Sequence, residues 1–410
     1  MAPRIVIAGG GMVGICLALK LVRALPPASL ITLVEAFPLP AGGEAYHPAF
    51  DARATALSYS TQRILAAMDL WSALAPRLCP ITDIHVSSRG HFGSSMLRAA
   101  EQGWPALGWV VENAWLGRVL AARLRATTSL RLVNPARCLA ALPEAGALAL
   151  TLEGEAARPL SADLLVIADG AGSRLRDTLG LGAREKRYGQ EALIANVAFA
   201  EDPAGRAFER FTADGPLALL PLPPAGGATH RAALVWTLPP ARAAALCDAA
   251  PAEFLAALRD AFGYRLGRPR AVGERHRYPL ALVRAREACR RHMVVLGNAA
   301  HALHPVAGQG FNLALRDVHA LAETLRTACE AGESVGDPAV LQRYSARQAT
   351  DQNRTIAASD RLPGLFMHGD PLLALARDLG LAGLDVAGGL KAAFVRHAAG
   401  MAALEAVADA

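Results

Sequence analysis

Hydrophobic positions fall into short unbroken runs near the N-terminus and into alternating runs in the middle of the chain, and the two textures predict different sheets. Residues 4–8 read as a fully buried strand, 12–24 carry apolar residues at helical spacing until Pro26-Pro27, and a second apolar strand runs from Leu30 to Val34. That order is the opening of a βαβ unit. Helical periodicity returns at about 58–69 and 113–125, with β-like runs at 130–133 and 146–152, and the buried run Leu164 to Ala168 leads into Asp169-Gly170. From about Tyr188 to Arg277 the pattern changes to long alternating strands, Ala192 to Ala200, Leu217 to Leu222 and Ala232 to Leu238, with one helical stretch at 251–261. Alternation of this kind predicts an antiparallel sheet. A further buried strand, Met293 to Leu296, and a helical reading from about 311 to 330 restore the first texture, and 338–410 reads as Ala/Leu-rich amphipathic helices.

The predicted fold is therefore α/β: a discontinuous Rossmann-like domain over 1–184 and 274–335, an inserted, mainly antiparallel β-sheet domain over 185–273, and a helical C-terminal region over 336–410. Residues 80–105 are candidates to join the inserted sheet.

Between the first strand and the first helix stands Gly9-Gly10-Gly11-Met12-Val13-Gly14, a G-x-G-x-x-G, and Glu35 closes the next strand. Gly9 permits the tight turn, Gly11 lets backbone N–H groups approach a pyrophosphate at the helix N-terminus, and Gly14 lets helix and strand pack closely. Glu35 is placed to accept from ribose hydroxyls, which favours FAD or NAD over NADP. Two later turns bring backbone close to something in the same way: Asp169-Gly170-Ala171-Gly172-Ser173-Arg174-Leu175-Arg176, and Gly297-Asn298 followed by His301, His304-Pro305, Gly308-Gln309-Gly310 and Phe311-Asn312. Gly308 and Gly310 lie at a helix start, where free N–H groups stabilise negative charge. These turns make FAD the preferred cofactor, although a capped helix start also explains each one taken alone.

The chain has 410 residues, 53% of them from the hydrophobic set, 19% charged and 5% aromatic. Such a composition builds large cores and excludes disorder. The net charge of +6 comes almost wholly from arginines spread along the length, the lysines being Lys20, Lys186 and Lys391. Spread charge with few aromatics does not predict a nucleic-acid groove. The six cysteines show no C-x-x-C pair, the N-terminus has no signal-peptide pattern, and no 20-residue apolar run is long enough to span a bilayer. The expectation is a cytoplasmic protein with reduced thiols. His301 and His304, three apart, have no Cys, Asp or Glu at compatible spacing to complete a metal site, so no metal is expected. Tyr46, Tyr188, Phe211 and Trp236 are candidates for an aromatic pocket or for ordinary core.

Over nearly its entire length the chain resembles the single-component flavoprotein aromatic hydroxylases of the p-hydroxybenzoate hydroxylase type, and within them the ubiquinone-biosynthesis hydroxylases. The resemblance is carried by the three glycine-containing motifs in order, by Asp51-Ala52-Arg53-Ala54-Thr55-Ala56-Leu57-Ser58, by Glu209-Arg210-Phe211-Thr212 with Gly215-Pro216-Leu217-Ala218-Leu219-Leu220-Pro221-Leu222, and by Val235-Trp236-Thr237. Gly297-Asn298, where most relatives have Gly-Asp, resembles the 2-octaprenyl-6-methoxyphenol hydroxylase branch. This resemblance implies bound FAD, NAD(P)H as a transient co-substrate, and hydroxylation of a polyprenylated phenol by O2 through a flavin C4a-hydroperoxide. It implies cofactor contacts from Gly9, Gly11, Met12, Val13, Gly14, Glu35, Arg53, Asn113, Asp169, Gly170, Asn298, Gly308, Gly310, Phe311 and Asn312. A flavin-proximal loop of Pro305, Gly308, Gln309 and Gly310 is implied as well, with Arg53 a candidate at the reacting ring and a surface ion pair its alternative.

No second G-x-G-x-x-G exists for a resident nicotinamide, and G-x-S-x-G, H-E-x-x-H and Walker motifs are absent from the sequence. The alternatives are a hydroxylase of a small soluble aromatic and a non-catalytic flavin-binding subunit of a biosynthetic assembly. A water-insoluble polyprenyl substrate further implies docking at the inner face of the membrane alongside other ubiquinone-biosynthesis proteins, with 361–401 as the amphipathic, basic candidate segment and ordinary core covering the cofactor domain as its alternative.

Overall fold

The computed structural model describes residues 2–39, 49, 53–91, 93–154, 158–303, 308–367 and 388–408, without the side chains of 362–367 and 405–408. Its first sheet has six strands in the order Cys289–Arg290, Met293–Val295, Leu164–Ile167, Arg4–Ala8, Leu30–Val34 and Leu130–Val133, all parallel except the first. Both faces are covered, which is why these strands read as unbroken apolar runs. Ile5, Ile7, Ile31, Leu33, Leu164, Val166 and Val294 pack on one side against the helices Met12–Ala24, Asn113–Ala126 and Gln309–Glu330. Val6, Ala8, Leu165, Ile167 and Val295 point the other way, onto a three-stranded meander of Arg137–Glu144, Ala147–Glu153 and Leu160–Ala162.

The second large sheet is built around the 17-residue strand Ala183–Phe199, which pairs antiparallel with Arg231–Leu238, His276–Ala285 and Pro269–Val272. Pro216–Leu222 and Arg206–Phe211 extend it, and Asp83–Ser88 and Ser94–Arg98 complete that edge through a parallel pairing of 83–88 with 206–211. Its far face is covered by two helices, Pro240–Asp248 and Pro251–Phe262, where the sequence pattern predicts only the second. Nine residues of alanine-rich chain carry little periodic signal of their own. The helix forms because Ala243 and Leu246 fit against Leu193, Leu234 and Trp236. Trp236 is fully buried in this cluster, so it is core and not a pocket wall.

The near face of that sheet looks toward a small antiparallel sheet of Ala54–Ser58, Gly108–Glu112 and Leu78–Ile81. Ala207, Leu222 and Ala233 meet Ile81 and Val110 there, with Ala54, Ala56, Ile84 and Leu220 around them. The buried Arg231 ties the two units together, donating to the carbonyls of Pro223 (2.8 Å) and Ala49 (3.0 Å) and standing 3.6 Å from Glu112.

Candidate active site

Three segments far apart in sequence converge at the C-terminal ends of the parallel strands. Gly9 adopts φ +115°, and a Cβ on it would lie 2.4 Å from the Ala168 carbonyl oxygen, so the first loop runs directly against the Ala168-Asp169 turn. A Cβ on Gly297 would lie 3.1 Å from Val13 Cγ1, so the third segment abuts the first helical turn. A Cβ on Gly14 would overlap the Gly9 carbonyl oxygen, so no side chain fits between helix and strand. Around Gly11, by contrast, a Cβ would meet nothing within 4 Å. The helix that Gly11 precedes has neither a side-chain cap nor an acidic residue in its first turn. Uncapped N–H groups facing open space fit the pyrophosphate of FAD.

Glu35 has more to do than its sequence position implies. Its Oε2 accepts from the Gly10 N–H at 2.5 Å and its Oε1 from the Phe37 N–H at 2.7 Å, so the carboxylate shapes the glycine loop. Each oxygen keeps a second lone pair for a ribose hydroxyl. Asn298 is exposed at the neighbouring turn. The Asp169 carboxyl is held above the ordinary carboxylate range, first by burial, against the opposing pull of Ser173 and Arg176.

Arg176 closes the middle motif and has a role that its sequence position does not show. It is buried, with Nη1 donating to Ala299 O (2.9 Å) and Ala171 O (3.2 Å), and so stitches the middle segment to the third. It stands three residues after Ser173, whose hydroxyl caps the short helix by accepting from the Arg176 N–H.

Gly308 begins the helix Gln309–Glu330 in the left-handed region, φ +59°, with a Cβ position 3.3 Å from Ala56 Cβ. Asn312 locks that junction. Its Nδ2 donates to Ala56 O and Gly308 O, both at 2.9 Å, and its Oδ1 accepts from Ser58 N and Thr61 Oγ1, both at 2.8 Å. The amide of Asn312 is thereby spent on protein atoms, and it positions the loop. Gly310 has open space about it, while Met12, Val13 and Phe311 pack partly into the core beneath. Gln309 Nε2 donates to Ala398 O at 3.3 Å. Pro305 and His304 lie outside the described residues, as does Tyr46.

Arg53 and Asn113 come together. The Arg53 carbonyl accepts from the Asn113 N–H at 2.8 Å, and Asn113 Oδ1 accepts from Thr55 Oγ1 at 2.6 Å. Arg53 reaches the second sheet through Tyr278 OH at 3.1 Å. Tyr188 is engaged with Asp360 at 2.8 Å.

His301 meets an acid that sequence spacing missed. Its Nε2 stands 2.5 Å from Asp317 Oδ2, and Gln352 donates to the other oxygen of Asp317 at 2.9 Å, so the histidine anchors the third segment to two helices. Among the described residues no group of three His, Cys, Asp or Glu could hold a metal ion.

A glycine loop at an open helix start, two turns folded against it, and a second sheet whose near face adjoins the Ala56–Gly308 junction together define the architecture of an FAD-dependent hydroxylase. The sequence profile of the FAD binding domain family matches residues 3–359. Over 97% of its length the chain is 37% identical to the ubiquinone hydroxylase UbiL of Rhodospirillum rubrum, covering 89% of that protein. It is 32% identical to the 3-demethoxyubiquinol 3-hydroxylase of Escherichia coli, covering 98% of that protein. In fold it is similar to p-nitrophenol 4-monooxygenase PnpA of Pseudomonas putida, with TM-score 0.77, 18% identity, and 99% and 98% of the two chains covered. The chain belongs to the FAD binding domain family, among the ubiquinone-biosynthesis hydroxylases, and is an FAD-dependent monooxygenase that uses NAD(P)H.

Proposed function

We propose that the protein hydroxylates a ring carbon of a polyprenylated phenol, of the 2-polyprenyl-6-methoxyphenol type, working at a membrane surface. The observation that carries this reading is the near face of the large sheet. Apart from Glu209 and Asn196, strand register aligns aliphatic side chains: Val86, Ala218, Val235 and Ile194 in the row of Glu209, and Ile84, Ala207, Leu220 and Ala233 in the next, which ends at Asn196. This aliphatic wall adjoins the Ala56–Gly308 junction. A small aromatic acid would need a cation to pair with its carboxylate, and Arg231 on that face is fully buried and already engaged with Glu112 and two carbonyls.

In this reading 1–184 with 274–335 hold the cofactor, and 185–273 with 80–105 shape the substrate face. Gly11 and the first helix take the pyrophosphate, Glu35 the ribose, and Asp169, Gly170 and Asn298 the flavin end. Bound FAD, once reduced by NAD(P)H, supplies the activated oxygen. The chain's own residues bind and orient the ring carbon beside Gly308 and Gly310 and keep water out with the aliphatic rows. Arg53, bridging to Tyr278, is placed to position the ring or the reductant.

For membrane docking, the helix Gly388–Ala398 offers Leu390, 70% exposed, and Phe394, 44% exposed. Two other members of the expected stripe are turned inward. Lys391 is buried 3.0 Å from Glu101, and Val395 packs with Leu97 and Leu107. Residues 368–387 lie outside the described residues. No helix among the described residues is long and apolar enough to cross a membrane. The test is NAD(P)H consumption and product formation with phenols of increasing isoprenoid length: rates that rise with chain length support the reading, and preference for unprenylated aromatic acids overturns it.

A further inference from the structure

Among the described residues, the near face of the large sheet carries an ionisable side chain with a buried carboxylate oxygen that the roles above leave unused. Glu209 sits within the strand Arg206–Phe211, opposite Ala218 on one neighbour and Val86 on the other. Its orientation follows from the residues beside it. Phe208 packs edge-on against Phe262 at 5.2 Å, and Arg210 donates to Ala261 O at 3.0 Å and to Ser87 Oγ at 3.2 Å, so 208 and 210 face the helices. Alternation sends Ala207 and Glu209 the other way. Ala207 accordingly packs in the cluster that includes Ala54 and Ala56, and Glu209 lies one row further along the same face.

Its row companions Val86, Ala218, Val235 and Ile194 are aliphatic and half-buried. Glu209 Oε1 is closed to solvent and has no hydrogen-bond partner among the described residues. Burial alone pushes the carboxyl up to about 7, with no neighbouring charge contributing. The charged groups on the surrounding elements are occupied with one another: Glu112 with Arg231, Asp360 with Lys186 and Tyr188, Arg53 with Tyr278, and Arg210 on the opposite face. Arg361, beside Asp360, is exposed. A carboxylate left unpaired among aliphatic side chains costs stability and gains nothing for the fold.

We propose that Glu209 is a catalytic residue that accepts the phenolic proton of the substrate, an assignment that rests on the phenol-hydroxylase reading. As the O–H bond breaks, the proton passes to the Glu209 carboxylate and its electron pair stays on the phenol oxygen. From there the electron density raises the nucleophilicity of the ring carbons ortho and para to it. One of these would take one oxygen of O2 as the O–O bond breaks, the other oxygen leaving as water on the two electrons that NAD(P)H supplies through the cofactor, and then lose its hydrogen as a proton to solvent. Glu209 returns its own proton to the phenol oxygen as aromaticity is restored, which leaves the carboxylate ready for the next cycle. Aliphatic walls serve the same purpose, because a base without competing donors is poised near the working pH.

The test uses the FAD-loaded full chain and a 2-methoxyphenol bearing one short isoprenoid chain. Glu209→Gln is expected to retain full flavin content, unchanged flavin bleaching by NAD(P)H without the phenol, and a KM within about twofold. Its kcat for product should fall by about 100-fold. The wild-type kcat should rise with pH through a limb near 7 that the variant lacks. A variant with wild-type kcat and the same limb overturns the assignment and leaves the functional reading standing. No product from wild type with any phenol overturns both. Should Glu209→Gln not fold, the wild-type profile decides, since the absence of a limb between about pH 6 and 8 rules Glu209 out.

Discussion

In the proposed reading, the cofactor loops and the near face of the large sheet recognise by opposite means. Around Gly9, Gly14 and Gly297 recognition is by backbone, and its side chains are spoken for: Glu35 holds Gly10 and Phe37, Asn312 spends its whole amide, and Arg176 bridges two turns. The near face has aliphatic side chains drawn from five strands and, in Glu209, a carboxylate oxygen without a partner among the described residues. The first region is finished before any ligand arrives. The second, in the proposed reading, is left incomplete until a substrate fills it.

The sharpest break in this contrast comes from two glycines three residues apart. Gly14→Val, whose side chain would collide with the Gly9 carbonyl, is expected to prevent folding, seen as loss of the cooperative thermal transition. Gly11→Val meets open space and is expected to leave a folded protein that purifies without FAD, read from circular dichroism and flavin absorbance. A Gly11→Val protein with full flavin would show that the backbone there is not the pyrophosphate cradle.

Next comes the pair that joins the two regions. Arg231→Met strands Glu112, whose carboxyl burial already holds above its ordinary range while Arg231 pulls it down, and is expected to cost about 3 kcal/mol in denaturant unfolding. Changing Glu112 to Gln in the same chain should recover much of that loss, whereas additive losses would deny the coupling.

Glu209 should move stability the other way. Its folded carboxyl near 7 against 4.5 for the ordinary group means that the native state binds more protons between those values. Its contribution is therefore most favourable below about pH 4.5 and declines as pH rises to about 7. Glu209→Gln is expected to stabilise the protein at pH 8 by ~2 kcal/mol relative to wild type, with the difference vanishing near pH 4. Equal stability at both pH values would mean that the carboxylate is not strained.

Smaller still, Gly308→Ala places a methyl group 3.3 Å from Ala56 Cβ in a left-handed conformation and is expected to cost about 1 kcal/mol while lowering turnover more than FAD content. The least effect on the fold belongs to the surface. Leu390→Ser with Phe394→Ser is expected to change stability by under about 0.5 kcal/mol yet reduce co-sedimentation with anionic vesicles severalfold. Unchanged co-sedimentation would remove these two residues from any docking surface.

Local pattern was enough for the parallel-sheet domain. The strand at 4–8, the helix at 12–24 and the strand at 30–34 were each legible because burial on two faces writes an unbroken apolar run, and because glycines announce a backbone that must come close to something. Local pattern could not place the helix Pro240–Asp248, the arginine at 176 beneath two turns, the aspartate 16 residues after His301, or the inward turn of Lys391. Above all it could not place Glu209, one glutamate in an alternating strand. Sequence recorded its chemistry. Only the pairing of 206–211 with 83–88 and 216–222, segments brought together by tertiary packing, set that carboxyl among aliphatic side chains with no donor of its own. Burial and the absence of a partner are properties of neighbours distant in the chain, and no window along one strand contains them.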